Sequence, residues 1–179
     1  MDKKWTVVDA LRHSRHDWLN RLQLVKSHLS LGGVDRVQEL IEEFVGEAQQ
    51  EARLISLKMP LFTELLLTYS WNSPPCQLEF EVLGEEQLPL TYFDQTINKW
   101  TKELLGLLHQ SVDPHVENHV CVTIEQEEKK THFFYDFRGK LTDTKAITNW
   151  LAHCKDQSFH LTYSIQIEEF SIELQPIEL

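Results

Sequence analysis

Two long amphipathic segments joined by a glycine pair constrain this chain more than any other feature. In the first, Leu11, Arg15, Trp18, Leu22, Val25 and Leu29 are spaced alternately four and three residues apart, and five of the six are apolar. That is the seam of a helix packing on other helices. The pattern predicts a helix from about Thr6 to Leu31, stopped by Gly32-Gly33, a pair suited to a C-cap and a tight turn. A second helix begins near Val34 and repeats the spacing through Val37, Ile41, Phe44, Ala48, Ala52 and Ile55. Leu40 and Val45 widen its stripe, and Met59-Pro60 ends it.

Each arm of this antiparallel hairpin would be roughly 35 to 40 Å long at 1.5 Å per residue. A two-helix hairpin hides at most one side of each apolar stripe, so the other side demands cover. Two hairpins from two chains would complete a four-helix bundle. The expectation is therefore a homodimer held by residues 6 to 58, the competing arrangement being cover from the rest of the same chain.

From about Leu61 the periodicity changes. A short apolar helix spans Leu61 to Trp71, and Cys76-Gln-Leu-Glu-Phe-Glu-Val82 alternates with period two, as a strand does. A long helix follows from about Asp94 to Val112, strands at His119 to Gln126 and Thr131 to Phe137, a helix at about Thr142 to Cys154, and strands at Leu161 to Ile167 and Phe170 to Leu174. Helices interleaved with mostly antiparallel strands suggest one sheet with helices on one face. The expected fold class is α+β, with a helical hairpin over residues 1–60 and an α/β sandwich over 61–179.

With 179 residues and 41% hydrophobic content the chain can bury a sizeable core. No run approaches the roughly 20 apolar residues of a membrane span, and Asp9, Arg12 and Arg15 interrupt the stretch behind the N-terminal lysines, so no membrane segment and a cytoplasmic location are expected. Cys76, Cys121 and Cys154 show no paired spacing and are read as small buried residues rather than disulfide or zinc ligands. A formal charge of −11 argues against nucleic acid as a partner. The charge is uneven: residues 1–31 carry six basic and three acidic side chains, while the remainder holds 11 basic and 25 acidic. The first helix is the electropositive part of an acidic molecule and would attract an acidic partner.

His16 lies on that helix, in the run His13-Ser-Arg-His-Asp-Trp-Leu-Asn20. At about 100° per residue it falls roughly 140° from the middle of the seam, on a polar strip with Arg12, His13, Asn20, Gln23 and Ser27. An imidazole in water adds little to packing, but it is nucleophilic and can release a phosphoryl group again, so a histidine on a rigid helix suits reversible phosphate carriage. Asp17 could accept a hydrogen bond from one ring nitrogen and leave the other free to attack. Arg12 and Arg15 could offset phosphoryl charge, and Asn20, one turn on, could orient the group or a water.

His16, followed by the acid Asp17 and, four residues on, by Asn20, resembles the phosphoacceptor helix of two-component histidine kinases. More closely, the run His13 to Val25 is similar to the sporulation phosphotransferases of endospore-forming bacteria, phosphorelay proteins related to those kinases. The specific part covers about Leu11 to Leu31, with weaker support from Leu78-Glu-Phe-Glu-Val-Leu-Gly-Glu85 and Asp136-Phe-Arg-Gly139. The resemblance implies a homodimer with a central four-helix bundle and a C-terminal domain like a degenerate kinase ATP-binding domain. It also implies a relay. His16 would take a phosphoryl group from the aspartate of one response regulator and pass it to the aspartate of a second, a transcription factor controlling sporulation. Asp17, Arg15 and Asn20 would support that transfer, and Arg12, His13 and Gln23 would dock the regulators. The chain itself would bind no cofactor, since the Mg2+ would sit in the regulator's acidic pocket.

The chain departs from a kinase where nucleotide should bind. Leu104-Leu-Gly-Leu-Leu-His-Gln-Ser-Val112 looks like the kinase asparagine box with Gln110 in place of the asparagine, and no G-x-G occurs anywhere in the chain. Asp136 and Gly139 read as relics of an Asp-x-Gly-x-Gly motif. ATP hydrolysis and autophosphorylation are therefore not expected, which sets the relay against two alternatives, a sensor-kinase remnant that still autophosphorylates and a non-catalytic dimeric adaptor. His115 with His119, and His13 with His16, have spacings a metal could use, but neither pair has a third ligand. His28, His109, His132, His153 and His160 are read as surface or edge residues, and the tryptophans, Trp18 and Trp100 among them, as core.

Overall fold

The computed structural model describes residues 5–84, 88–127, 130–154 and 159–177. Asp2, Lys3 and Lys4 of the N-terminal charge count, and Glu85 of the second similar run, lie outside the described residues. The chain divides into two compact units, Met1–Gln49 and Gln50–Leu179.

The first unit is a helical hairpin. Helix α1, Val7–Ser30, is opened by a capping box in which the Thr6 side chain accepts from the Asp9 backbone N–H and the Asp9 carboxylate accepts from Thr6. It ends in a Schellman motif: the N–H of Gly33 reaches the His28 carbonyl at 3.0 Å and that of Gly32 reaches Leu29 at 3.1 Å. Gly32 takes the positive φ of 76° that the turn requires. The glycine pair thus has the C-cap role its position implied. Helix α2, Val34–Ser56, carries its last two turns into the second unit.

The second unit is a five-stranded sheet with helices. Its elements are α3 (Pro60–Thr68), β1 (Gln77–Leu83), α4 (Asp94–Ser111), β2 (His119–Glu127), β3 (Lys130–Arg138), α5 (Thr144–His153), β4 (Phe159–Ile165) and β5 (Glu169–Pro176). The strand order is β1-β2-β3-β5-β4, with β1 and β2 parallel across the α4 crossover and every other pair antiparallel. The short apolar helix expected to reach Trp71 stops at Thr68 and tightens into a 3-10 turn over Tyr69–Asn72. Pro74 and Pro75 follow, and Ser73 goes left-handed, so the α-helix cannot continue.

Alternation along the strands gives the sheet two faces. Val120, Val122 and Ile124 of β2, Phe133, Tyr135 and Phe137 of β3, and Phe170, Ile172 and Leu174 of β5 are buried in one core with Ile97, Trp100, Leu104 and Leu108 of α4 and Ile147 and Leu151 of α5. The core is aromatic through its middle, where Trp100 stands 4.9 Å from Tyr135 and 5.0 Å from Trp150 between ring centroids. The buried Tyr135 and Thr101 hydroxyls bond each other at 2.6 Å, which satisfies two polar groups that would otherwise be costly inside. Asp94, at the start of α4, accepts from the Leu61 and Phe62 N–H groups at 3.1 and 2.9 Å. It caps α3 where Pro60 leaves the first turn without a local cap.

One expectation changes: of the cysteines, Cys76 is buried, while Cys121 and Cys154 are only partly so. Trp18, a seam residue of the expected bundle, is 57% exposed within one chain. His115 lies in a turn and His119 opens β2.

Burial pushes the Cys76 thiol up to about 11. Above its ordinary value of about 9 the unfolded chain loses this proton while the folded chain keeps it, so folding stability should fall as pH rises from 9 toward 11. In urea unfolding followed by circular dichroism across that range, Cys76→Ala should flatten the pH dependence; an unchanged slope would show that this thiol is not the group responsible.

Candidate functional site

Helical geometry divides the α1 surface into sectors. One faces α2 and contains the partly buried Arg21, Val25 and His28. Arg21 joins the two helices: its guanidinium pairs with Glu47 and lies 4.9 Å from the Phe44 ring centroid and 6.0 Å from that of Trp18. A second sector is apolar and open, with Leu11, Trp18, Leu22 and Leu29 each more than half exposed, and Ile41 and Val45 of α2 about half exposed. The third is polar and holds His16.

The His16 side chain is 73% exposed. Asn20 Nδ2 lies 3.1 Å from its Nδ1, and the Asp17 carboxylate stands 3.7 Å from the same nitrogen. Both neighbours therefore gather on Nδ1, and no described residue bonds Nε2. The i, i+4 step puts Asn20 directly over the ring, as the spacing implied. Asp17 is beyond hydrogen-bond range, so its influence on the ring is electrostatic.

The other candidates are placed differently from one another. Arg12 turns toward the helix start, 3.5 Å from Asp9. His13 leaves the strip: it is partly buried, with its ring edge-on to Trp5 at 5.2 Å. Arg15 is exposed and occupies a seam position among the apolar residues. Gln23 is exposed on the His16 side, roughly 10 Å along the axis at 1.5 Å per residue. Arg21, counted in the sequence only as one more positive charge, proves to hold the hairpin together. Its partners are 23 and 26 residues away, and no local pattern announces them.

In the second unit, Asp136 stands on the sheet face opposite the helices. It is exposed, and on the adjacent strands it pairs in register with Cys121 and Ser171. The inward neighbours Tyr135 and Phe137 are buried, so Asp136 does not line the space between sheet and helices. Gly139 has a structural reason of its own: a Cβ there would lie 2.3 Å from Asn118 Oδ1, which accepts the Lys140 N–H at 3.0 Å. Asp136 thus faces away from the helices, and Gly139 packs closely against Asn118 and Phe137. Among the described residues no cluster of metal-binding side chains occurs, and no helix is long and apolar enough to cross a membrane.

An exposed histidine on a helical hairpin, joined to a five-stranded sheet with helices, is the layout of a sensor-kinase-type chain. Residues 1–57 match the family model described as "Sensor_kinase_SpoOB-type, alpha-helical domain", and residues 58–177 match "Sporulation initiation phospho-transferase B, C-terminal". The chain is 35% identical over 170 residues to sporulation initiation phosphotransferase B of Bacillus subtilis (strain 168), covering 94% of this chain and 88% of that one. It belongs to the sporulation initiation phosphotransferase B family. Similar solved structures include a histidine kinase domain from Erythrobacter litoralis (10% identity, 88% of this chain and 90% of that one, TM-score 0.48). Another is the Acinetobacter baumannii histidine kinase AdeS (8% identity, 90% and 96%, TM-score 0.45).

The contrast between the two histidines can be measured. On brief treatment with diethyl pyrocarbonate, peptide mapping should show His16 modified several-fold faster than His13; equal rates would mean that the Trp5 contact does not shield His13.

Proposed function

We propose that the protein is a phosphorelay phosphotransferase in which His16 takes a phosphoryl group from the aspartate of one response regulator and passes it to the aspartate of a second regulator controlling sporulation. The observation that carries this reading is the exposure of His16 on a rigid helix whose packing sectors lie elsewhere. Family membership supplies the reaction class.

In the first transfer the unprotonated ring nitrogen attacks phosphorus in line, the N–P bond forms, and the aspartyl C–O–P linkage breaks at the P–O bond to release a carboxylate. Attack by Nε2 requires the ring proton on Nδ1. The Asp17 carboxylate favours that tautomer; the Asn20 amide, whose Nδ2 lies 3.1 Å from Nδ1, favours it once rotated to present its oxygen to the ring. The phosphorylated ring, protonated at Nδ1, carries positive charge that the same two groups stabilise. Transfer to the second aspartate reverses each step, so the carrier returns unchanged. Arg12 offsets phosphoryl charge and, with Gln23 and the edge of His13, forms the regulator-facing surface, while Arg15, at its seam position, supports the transfer from the border of the apolar stripe. In this reading Mg2+ sits in the regulator's acidic pocket.

The bundle is completed by a second copy. Leu11, Trp18, Leu22 and Leu29 of α1, with Ile41 and Val45 of α2, are exposed apolar side chains that two hairpins would bury against each other. In this reading the second unit does not feed ATP into the relay, since the chain has no G-x-G run and carries Gln110 at the position of the kinase asparagine.

Phosphoryl transfer from an aspartyl-phosphorylated regulator should label wild-type protein, and the label should be acid-labile and base-stable and should move on to a second regulator. His16→Ala should abolish labelling, His13→Ala should retain most of it, and Asn20→Ala should slow it about tenfold, the scale of a lost orienting contact. Labelling of His16→Ala would overturn the assignment. Leu22→Asp should convert a dimer to a monomer in sedimentation at micromolar concentration, and a wild-type mass of one chain would refute the bundle.

A further inference from the structure

The two edges of the sheet in the second unit are treated differently. Near the end of β1 the outward backbone is occupied at Val82: Gln50 Oε1 accepts the Val82 N–H at 2.7 Å, and the Arg53 guanidinium donates to the Val82 carbonyl at 3.1 Å. The strand also carries Glu79 and Glu81. These are devices that keep an edge from pairing. At the other edge, β4 pairs with β5 on one side, and among the described residues no backbone or side chain occupies its other side. Its sequence, Phe159-His-Leu-Thr-Tyr-Ser-Ile165, contains no Asp, Glu, Lys, Arg, Pro or Gly, and Thr162, Tyr163 and Ser164 are exposed.

We infer that the β4 edge is a homotypic interaction surface, on which β4 of a second copy pairs antiparallel, centred on Thr162. Full overlap of two seven-residue strands sets this register. It places Leu161 opposite Tyr163 of the other copy and Phe159 opposite Ile165, all on the apolar face of the sheet. On the polar face His160 meets Ser164, and Thr162 meets itself. Aliphatic–aromatic and hydroxyl pairs of this kind favour strand association, and no like charges stand opposite each other. The same operation on β1 would set Glu79 against Glu81 twice. The acidic net charge of −11 opposes association at long range, but at about 0.15 M salt it is screened beyond roughly 8 Å. The surface is separate from the hairpin stripe, so pairing through β4 would join one bundle to the next.

Register-specific cross-linking tests this in the full-length protein. In the proposed pair the two Thr162 Cα atoms lie about 4.5 to 5.5 Å apart, within disulfide range. The two His160 Cα atoms are offset by four residues, roughly 13 Å along the strands. Under mild oxidation at about 0.15 M salt, a range of ionic strength the screening argument sets, Thr162→Cys should form covalent dimers several-fold in excess of His160→Cys and of wild type, whose native cysteines set the background. Both positions are exposed on the same face, so a difference reflects register rather than accessibility. Equal cross-linking of the two variants, or none by Thr162→Cys above background, would overturn the homotypic edge. The readout is independent of the hairpin: a hairpin dimer that fails to form changes the sedimentation mass but not the 162-against-160 contrast.

Discussion

An α-helix in a two-helix hairpin has more surface than its mate can cover, and that geometric constraint governs the first unit. Arg21 fixes one sector of α1 against α2 through Glu47 and Phe44. The leucine and tryptophan sector is turned outward, where only another apolar surface relieves its contact with water. What remains is a polar strip, and His16 stands in it. The exposure of this side chain is a consequence of how the other two sectors are used. Its environment is correspondingly sparse, one amide at 3.1 Å and one carboxylate at 3.7 Å, both on Nδ1.

The second unit gathers its apolar side chains into one core. Trp100 lies with tilted rings against Tyr135 and the partly buried Trp150, and the Thr101 and Tyr135 hydroxyls satisfy each other between α4 and β3. The glycine at position 139 serves the packing of Asn118, whose Oδ1 a Cβ there would meet at 2.3 Å. The sheet's edges extend the same economy of surface. β1 is guarded by side chains from α2, whereas β4 is uncharged and open on its outer side among the described residues.

Much of this was legible in the chain itself, for identifiable reasons. The heptad-like spacing and the Gly32-Gly33 break are local signals, and the helices they imply match α1 and α2 closely because a helix's period and its caps are both written within a few residues. The period-two runs of β2, β3 and β5 were equally plain. The ends of α3 and β4 were less so, since proline and a 3-10 turn shortened the one, while pairing with β5 drew the start of the other back to Phe159. His16 and Asn20 were placed correctly by counting residues, because side chains four apart on a helix must meet.

The sequence by itself therefore determined the element types, the two-part organisation, and the position of one exposed histidine with its neighbour, all of which follow from short-range periodicity. Only the tertiary structure decided that His13 turns from the strip toward Trp5, that Arg21 bridges the helices, that Asp136 faces away from the helix layer, and that one sheet edge is guarded and the other open. Those outcomes depend on which strands become neighbours and on where a side chain's reach ends. Contacts between residues tens of positions apart leave no trace in the local pattern that sets helices and strands.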